Sequence, residues 1–313
     1  MRVGSSGGGV KAGSFPNLPL MKLSAYHKKA GDEVGWYSGS HCDIVYMSKV
    51  FSYTCEPDIE IDAEEIGRGG TGYSIGLKDG KEFFDKGSHR NLPDEIEHIY
   101  PDYSLYGIND TAYGFLTRGC PRNCSFCHVV PKEGRKSIKV ANLSEFWNGQ
   151  KYIQVMDPNT FACPDWKDIA SQLVNSGAYI DFNQGVDIRI LTEEKIRYLK
   201  EMKIKSIHFA WDRYEDKDII VPRLREIKEL TGWNRNNVNV YVLVNYNTTF
   251  EEDIERVNLI RSLDFNPYIQ RYNKKAIKRG SAINKLARWC NRRQFLWKYP
   301  TFEDFLYDER NTH

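Results

Sequence analysis

The sequence reads as an α/β protein, and two observations carry that reading. From about residue 110 onward, short apolar runs alternate with amphipathic stretches of about 11–15 residues, the order that builds βαβ units and a parallel sheet. Gly, Pro, Asn and Asp punctuate the junctions, as turns between such elements require.

Taken in order, Leu20, Leu23 and Tyr26–His27 fall at helical spacing, and Gly31 is a plausible stop. DIVYMSKVF (43–51) reads as a strand and the acidic IDAEEIGRGG (61–70) as helical. Together they suit a small α/β unit. LPDEIEHIYPDYSLYG (92–107) is turn-prone and is expected to be a linker. Beyond it, strands are expected at 151–157, 178–184, 206–212 and 237–246, with helices at 166–177, 192–202, 218–232 and 250–263. Ligands in parallel sheets sit at the carboxyl ends of strands. That singles out Asp157, Asn159, the stretch from Asn183 to Arg189, Asp212 and Asn245. SIGLKDGKEF (74–83) is a weak helix, so the preceding Gly-Gly-Thr-Gly (69–72) reads as a turn rather than a phosphate cradle.

At 313 residues, 41% hydrophobic and 27% charged, the composition is that of a soluble globular chain. No run of about 18 apolar residues exists, so no membrane span is expected. The opening MRVGSSGGGVKAG lacks the apolar centre of a secretory signal, which makes the cytoplasm the expected compartment. The Gly/Ser run at 4–9 is the one low-complexity tract. Seven cysteines, odd in number and irregular in spacing, do not describe a disulfide framework.

Three of the seven, Cys120, Cys124 and Cys127, fall within TRGCPRNCSFCHVVPKEGR (117–135). Structural zinc would need a fourth ligand, from His128 or a distant cysteine, and such sites usually use two separated pairs. An electron-carrying cubane would need a fourth cysteine and a two-then-two spacing. The third reading is a [4Fe–4S] cluster on three thiolates, with one iron left for a substrate or cofactor.

C-x3-C-x2-C with Phe126 before the last cysteine resembles the motif of the radical SAM superfamily. The resemblance implies a partial (β/α)6 barrel, a [4Fe–4S] cluster on Cys120, Cys124 and Cys127, and S-adenosylmethionine chelating the open iron. It implies reductive cleavage to a 5′-deoxyadenosyl radical, with a flavodoxin or ferredoxin as electron donor. By the same resemblance, Asp157 and Asn159 take the place of the motif that holds the methionyl amino group, although the usual Gly-Gly-Glu is absent. Asn183, Gln184, Asp187 and Arg189 resemble a stretch seen in related enzymes, with Arg189 against the carboxylate and Asp187 against the ribose. Asn245 stands where a glycine often meets adenine. Asp187 and Arg189 also suit a structural ion pair, and Asp157–Asn159 a simple turn.

Residues 1–105 resemble the Rossmann-like, cobalamin-binding domain that precedes many such barrels, but no D-x-H-x-x-G occurs, and His27 and His41 lack that context. Too few cysteines remain for a second cluster or for sulfur insertion; Cys163 is a candidate hydrogen donor or simply a buried residue. Between Arg271 and Lys298 stand ten Lys or Arg and no acid, with Tyr272, Trp289, Phe295 and Trp297 interleaved. This suits either a nucleic-acid backbone or a solvated helix. The expected organisation is therefore an α/β domain (1–105), a radical SAM barrel (106–270) and a basic extension (271–313). The expected function is hydrogen abstraction from a substrate, with a nucleic acid or its base as a candidate. The alternatives are an iron–sulfur protein that binds nucleic acid or senses redox state without SAM cleavage, and a non-catalytic metal module.

Overall fold

A computed structural model describes residues 2–5, 15–56, 60–78 and 81–311. The Gly/Ser run expected at 4–9 lies outside the described residues from Ser6 onward. The chain divides into two compact units, Met1–Ile153 and Gln154–His313.

The first unit opens with β1 (Arg2–Ser5), α1 (Leu18–Ala30), β2 (Gly35–Trp36), β3 (Cys42–Ser48) and β4 (Ala63–Gly69). Its four strands pair in parallel in the order β2-β1-β3-β4. α1 starts where the Asn17 side chain accepts the Leu20 N–H and ends at left-handed Gly31 (φ 92°), as its sequence signals. The acidic 61–70 stretch, expected to be helical, is instead the edge strand β4. Parallel pairing of Ile44 with Glu65 and Tyr46 with Gly67 satisfies its backbone, and its glycines disfavour a helix. SIGLKDGKEF is no helix either: β5 (Ile75–Lys78) and β6 (Lys81–Phe84) form an antiparallel hairpin.

The 92–107 segment is packed rather than a linker. It holds α2 (Asp94–Glu97), whose Ile96 joins Leu20 and Leu23 in a core cluster with Trp36 and Leu105 at its margin. The Trp36 indole donates to the Leu105 carbonyl (3.0 Å) and the Ser24 hydroxyl donates to Asp102 (2.5 Å). Then come β7 (Thr111–Gly114), β8 (Thr117–Arg118), α3 (Val129–Glu133) and β9 (Ile138–Lys139).

β10 (Tyr152–Val155) carries the boundary between the units. The second unit continues with α4 (Trp166–Ser176), β11 (Tyr179–Phe182), α5 (Glu193–Glu201), β12 (Lys203–Ala210), α6 (Lys217–Thr231), β13 (Val238–Val244), α7 (Phe250–Ser262) and β14 (Asn266–Arg271). Three short helices close it: α8 (Ala282–Cys290), α9 (Arg293–Lys298) and α10 (Phe302–Asn311). The strands form a six-stranded parallel sheet of order β14-β13-β12-β11-β10-β7, so the expected strand–helix alternation is borne out. Thr192 caps α5, and Thr249 with Glu252 forms a capping box on α7. Gly177 and Gly232 end α4 and α6 in the left-handed conformation.

One face of the sheet is apolar: Ile180, Phe182, Ile207, Phe209, Val240 and Val242 are at most 2% exposed. Among the described residues no helix is long and apolar enough to cross a membrane.

The FEEDIER stretch that opens α7 does more than complement a helix dipole. Its Arg256 is fully buried and donates to the carbonyls of Trp211 (2.7 Å) and Leu243 (2.8 Å) and to the Asp253 carboxylate (2.5 Å). Arg256 thereby ties together the carboxyl ends of β12 and β13. Replacing it with Met strands the Asp253 carboxylate in the core. Arg256→Met is expected to cost roughly 3–5 kcal/mol in denaturant unfolding, and Asp253→Asn added to it should recover part of that loss.

Candidate functional site

The three motif cysteines lie on one loop of the first unit, all half-buried thiols. The loop is closed at its neck by Glu133, which accepts from the Arg118 guanidinium (3.0 Å) and from the Gly119 N–H (3.1 Å). Cys120 N–H donates to the Gly134 carbonyl (3.2 Å), while Arg118 stacks on Phe115 (3.4 Å). Burial opposes ionisation of Glu133, yet the Arg118 and Lys132 charges hold its carboxyl below the ordinary range. Within the loop Cys127 N–H donates to the Cys124 carbonyl (3.0 Å), and Val129 N–H reaches the Cys127 Sγ (3.5 Å). Asn123 is left-handed (φ 52°), which lets the chain reverse between the cysteines. Phe126 and His128 are half-buried beside them.

By residue type and spacing the loop carries three thiol donors, and one of them, Cys127, is met by a backbone N–H. Among the described residues no three His, Cys, Asp or Glu side chains are gathered into a set that could hold a metal ion. His128 faces Glu82 instead (3.7 Å).

The other expected residues stand at strand ends of the second unit. Asp157 and Asn159 are each 2% exposed, and Asp157 accepts from the Thr160 hydroxyl (3.0 Å). Asn183 offers its carbonyl to the Tyr241 hydroxyl (2.7 Å), and Gln184 is exposed. Asp187 accepts from the Arg189 N–H (3.2 Å) and Nε (2.8 Å), and Arg189 Nη1 also donates to Asp216 (3.0 Å). The pair is thus tied into an ion network. Asn245 is left-handed (φ 63°) and exposed, donating to the Tyr272 carbonyl (3.2 Å). Cys163 is buried at 1% exposure.

Asp212, at the carboxyl end of β12, sits among these charges. Burial pushes its carboxyl up to about 6, against the Arg256 and Arg189 charges, with Asp216 and Asp187 adding to the rise. Asp181 is likewise pushed to about 6 by burial. Asp181, His208 and Tyr241 belong to no motif that marks them as site residues. Each is nonetheless a polar residue alternating with apolar ones along its strand, which is the available signal.

The basic C-terminal stretch is partly neutralised within its own unit. Glu309 pairs with Lys285 (3.7 Å) and Arg288, and Asp308 with Lys298 (3.6 Å). Arg271 donates to Asn284 (2.6 Å) and Arg293 to Asn239 (3.2 Å). In the first unit His27 bonds Asp32 (2.6 Å) and His41 bonds Asp62 (2.7 Å).

Compared with protein-family models and with curated proteins, the chain matches none.

Two substitutions probe these features. Gly119 is left-handed (φ 82°), and a Cβ there would run into the Lys136 carbonyl, whereas left-handed Gly177 has open space around it. Gly119→Ala should therefore cost clearly more than the ~1 kcal/mol of Gly177→Ala in denaturant midpoints. Asp212 binds its proton more tightly folded (about 6) than at its ordinary 3.8. Its contribution to stability is thus full below that ordinary value and is lost as pH rises through about 6. Asp212→Asn should remove that share of the slope and stabilise the protein at pH 8 by up to about 3 kcal/mol, read from thermal unfolding at several pH values.

Proposed function

We propose that this chain is a radical SAM enzyme, on one observation above all: Cys120, Cys124 and Cys127 stand at C-x3-C-x2-C on a single half-buried loop pinned at its neck by Glu133. When bound there, a [4Fe–4S] cluster would supply the electron that cleaves S-adenosylmethionine to a 5′-deoxyadenosyl radical, for hydrogen abstraction from a substrate. In this reading the parallel sheet is the partial (β/α)6 barrel, and the N-terminal parallel sheet a Rossmann-like domain without a cobalt ligand. The three thiolates hold the cluster, and the Gly119–Glu133 neck holds the loop in shape. Asp157 and Asn159, buried at the end of β10, are set to orient a polar ligand group. Arg189 keeps its charge next to two carboxylates, so a third carboxylate would share it rather than claim it. A flavodoxin or ferredoxin is the proposed electron donor.

The decisive assay is anaerobic: reconstitute with iron and sulfide, reduce, add S-adenosylmethionine and measure 5′-deoxyadenosine. Production by the natural chain, reduced about 100-fold or more in Cys124→Ala, is the expected outcome. Zinc in place of iron, or a reconstituted cluster with no cleavage, would overturn the reading.

A further inference from the structure

The basic stretch between Arg271 and Lys298 is continuous in the chain, with no acid from Asp264 to Glu303. The fold nevertheless divides it between the two ends of one sheet. β14 ends at Arg271, level with Val244 at the end of β13, so Lys274, Lys278 and Arg279 fall in the loop beyond the carboxyl ends of these strands. α8 then runs back along β14: the Asn291 side chain accepts from the Ile269 N–H (2.7 Å) and donates to the Ile269 carbonyl (3.0 Å). Arg293 in turn donates to Asn239 (3.2 Å), near the start of β13. The last cations of the run therefore stand at the amino ends of the strands.

The two groups differ in what surrounds them. Along α8 and α9 the acids of α10 answer the charges: Glu309 takes Lys285 (3.7 Å) and Arg288, and Asp308 takes Lys298 (3.6 Å). Arg292 lies over the Phe295 ring (5.7 Å). At the carboxyl end the loop is built by neutral groups instead. Asn284 accepts from the Arg271 guanidinium (2.6 Å) and donates to the Lys278 carbonyl (2.9 Å), and the Tyr272 N–H donates to the Val244 carbonyl (3.0 Å). On this frame Lys274, Lys278 and Arg279 are exposed. Beside them Tyr272 meets Tyr246, from the loop after β13, edge to face at 4.8 Å, and both residues are half-buried. Asn245 ties the two loops by donating to the Tyr272 carbonyl (3.2 Å). Asn247 and Asn273 are exposed and left-handed (φ 51° and 47°). Of the acids that open α7, Glu252 accepts from the Thr249 N–H (2.8 Å) and Asp253 holds Arg256, while Glu251 is exposed.

We propose that this carboxyl-end loop, with Tyr246 and Tyr272 beside it, binds single-stranded nucleic acid. Lys274, Lys278 and Arg279 match phosphates. The half-buried tyrosines suit unstacked bases, and each exposed Asn amide offers both donors and an acceptor to base edges. An acidic peptide would use the cations but neither the rings nor the amides. Parallel sheets take their ligands at the carboxyl ends of strands, so this loop, and not the cations of α8 and α9, is the binding half of the run. The proposal names the substrate class of the enzyme proposed above and rests on that reading for any chemistry after binding; binding itself does not depend on it.

The test is fluorescence anisotropy of the whole chain with a fluorescein-labelled single-stranded DNA of about 12 nucleotides, at salt from about 50 to 200 mM. With three phosphate contacts, log affinity should fall with log salt at a slope of about −2, a loss of about 20-fold over that range. Lys278→Ala with Arg279→Ala keeps the Lys278 carbonyl that Asn284 holds, and should reduce the slope to about −0.7. Arg292→Ala with Lys298→Ala should leave affinity within about twofold and the slope unchanged. Tyr272→Leu should weaken binding about fivefold or more at an unchanged slope, because stacking is lost and charge is not. Each variant is compared at an unchanged far-ultraviolet circular dichroism spectrum. Polyglutamate of equal charge should displace the DNA at least about tenfold less effectively than unlabelled DNA. Absence of binding at low salt, equal losses in the two double variants, an unaffected Tyr272→Leu, or equal displacement by polyglutamate would overturn the proposal. The 5′-deoxyadenosine assay is independent: cleavage without DNA binding sinks only this proposal, and DNA binding without cleavage sinks only the enzymatic reading.

Discussion

The guanidinium of Arg256 is the interaction on which the second unit depends. It is a fully buried charge whose two terminal nitrogens donate to the carbonyls where β12 and β13 end and to Asp253, while its Nε has no partner. Burying an ion is costly unless its hydrogen bonds are filled. The compensation therefore has to be built from the strand ends themselves. This fixes where the strands stop, and with them the position of Asp212 just beyond. The raised carboxyl of Asp212 is a consequence: it lies in the same low-dielectric pocket, while the nearest cations are engaged elsewhere.

The first unit is organised around a different charge. Glu133 holds two consecutive residues at the start of the cysteine loop, one by its side chain and one by its backbone. The arrangement needs glycine at 119, because that residue is left-handed and pressed against the Lys136 carbonyl. A loop closed in this way can present three thiols from eight positions while keeping its own backbone hydrogen-bonded.

The second unit also divides its sheet between two tasks. One face is a core of Ile, Val and Phe. The other carries an acid, an imidazole, an amide and stacked rings at alternate positions. Apolar packing and the polar side chains thus occupy opposite sides of the same strands, separated by the period of two that a strand imposes.

Much of this was legible in the residues. The helices after 150 announce themselves through caps such as Thr192, Thr249, Gly177 and Gly232, and the strands through their apolar runs, because both signals are local. The Cys120–Cys124–Cys127 spacing is likewise a property of the chain alone. The acidic edge strand β4 and the packed segment 92–107 were not legible: one is held by pairing with β3, the other by Leu20, Leu23 and Trp36, all distant in sequence. The burial of Arg256, the ion network that engages Arg189, and the convergence of Asp181, His208 and Tyr241 also belong to tertiary structure. Their energies come from desolvation and from partners on other strands, and a one-dimensional pattern carries neither. Sequence by itself determined most of the element types and the placing of the thiols; tertiary structure decided which polar residues are buried together, because burial depends on neighbours that only folding supplies.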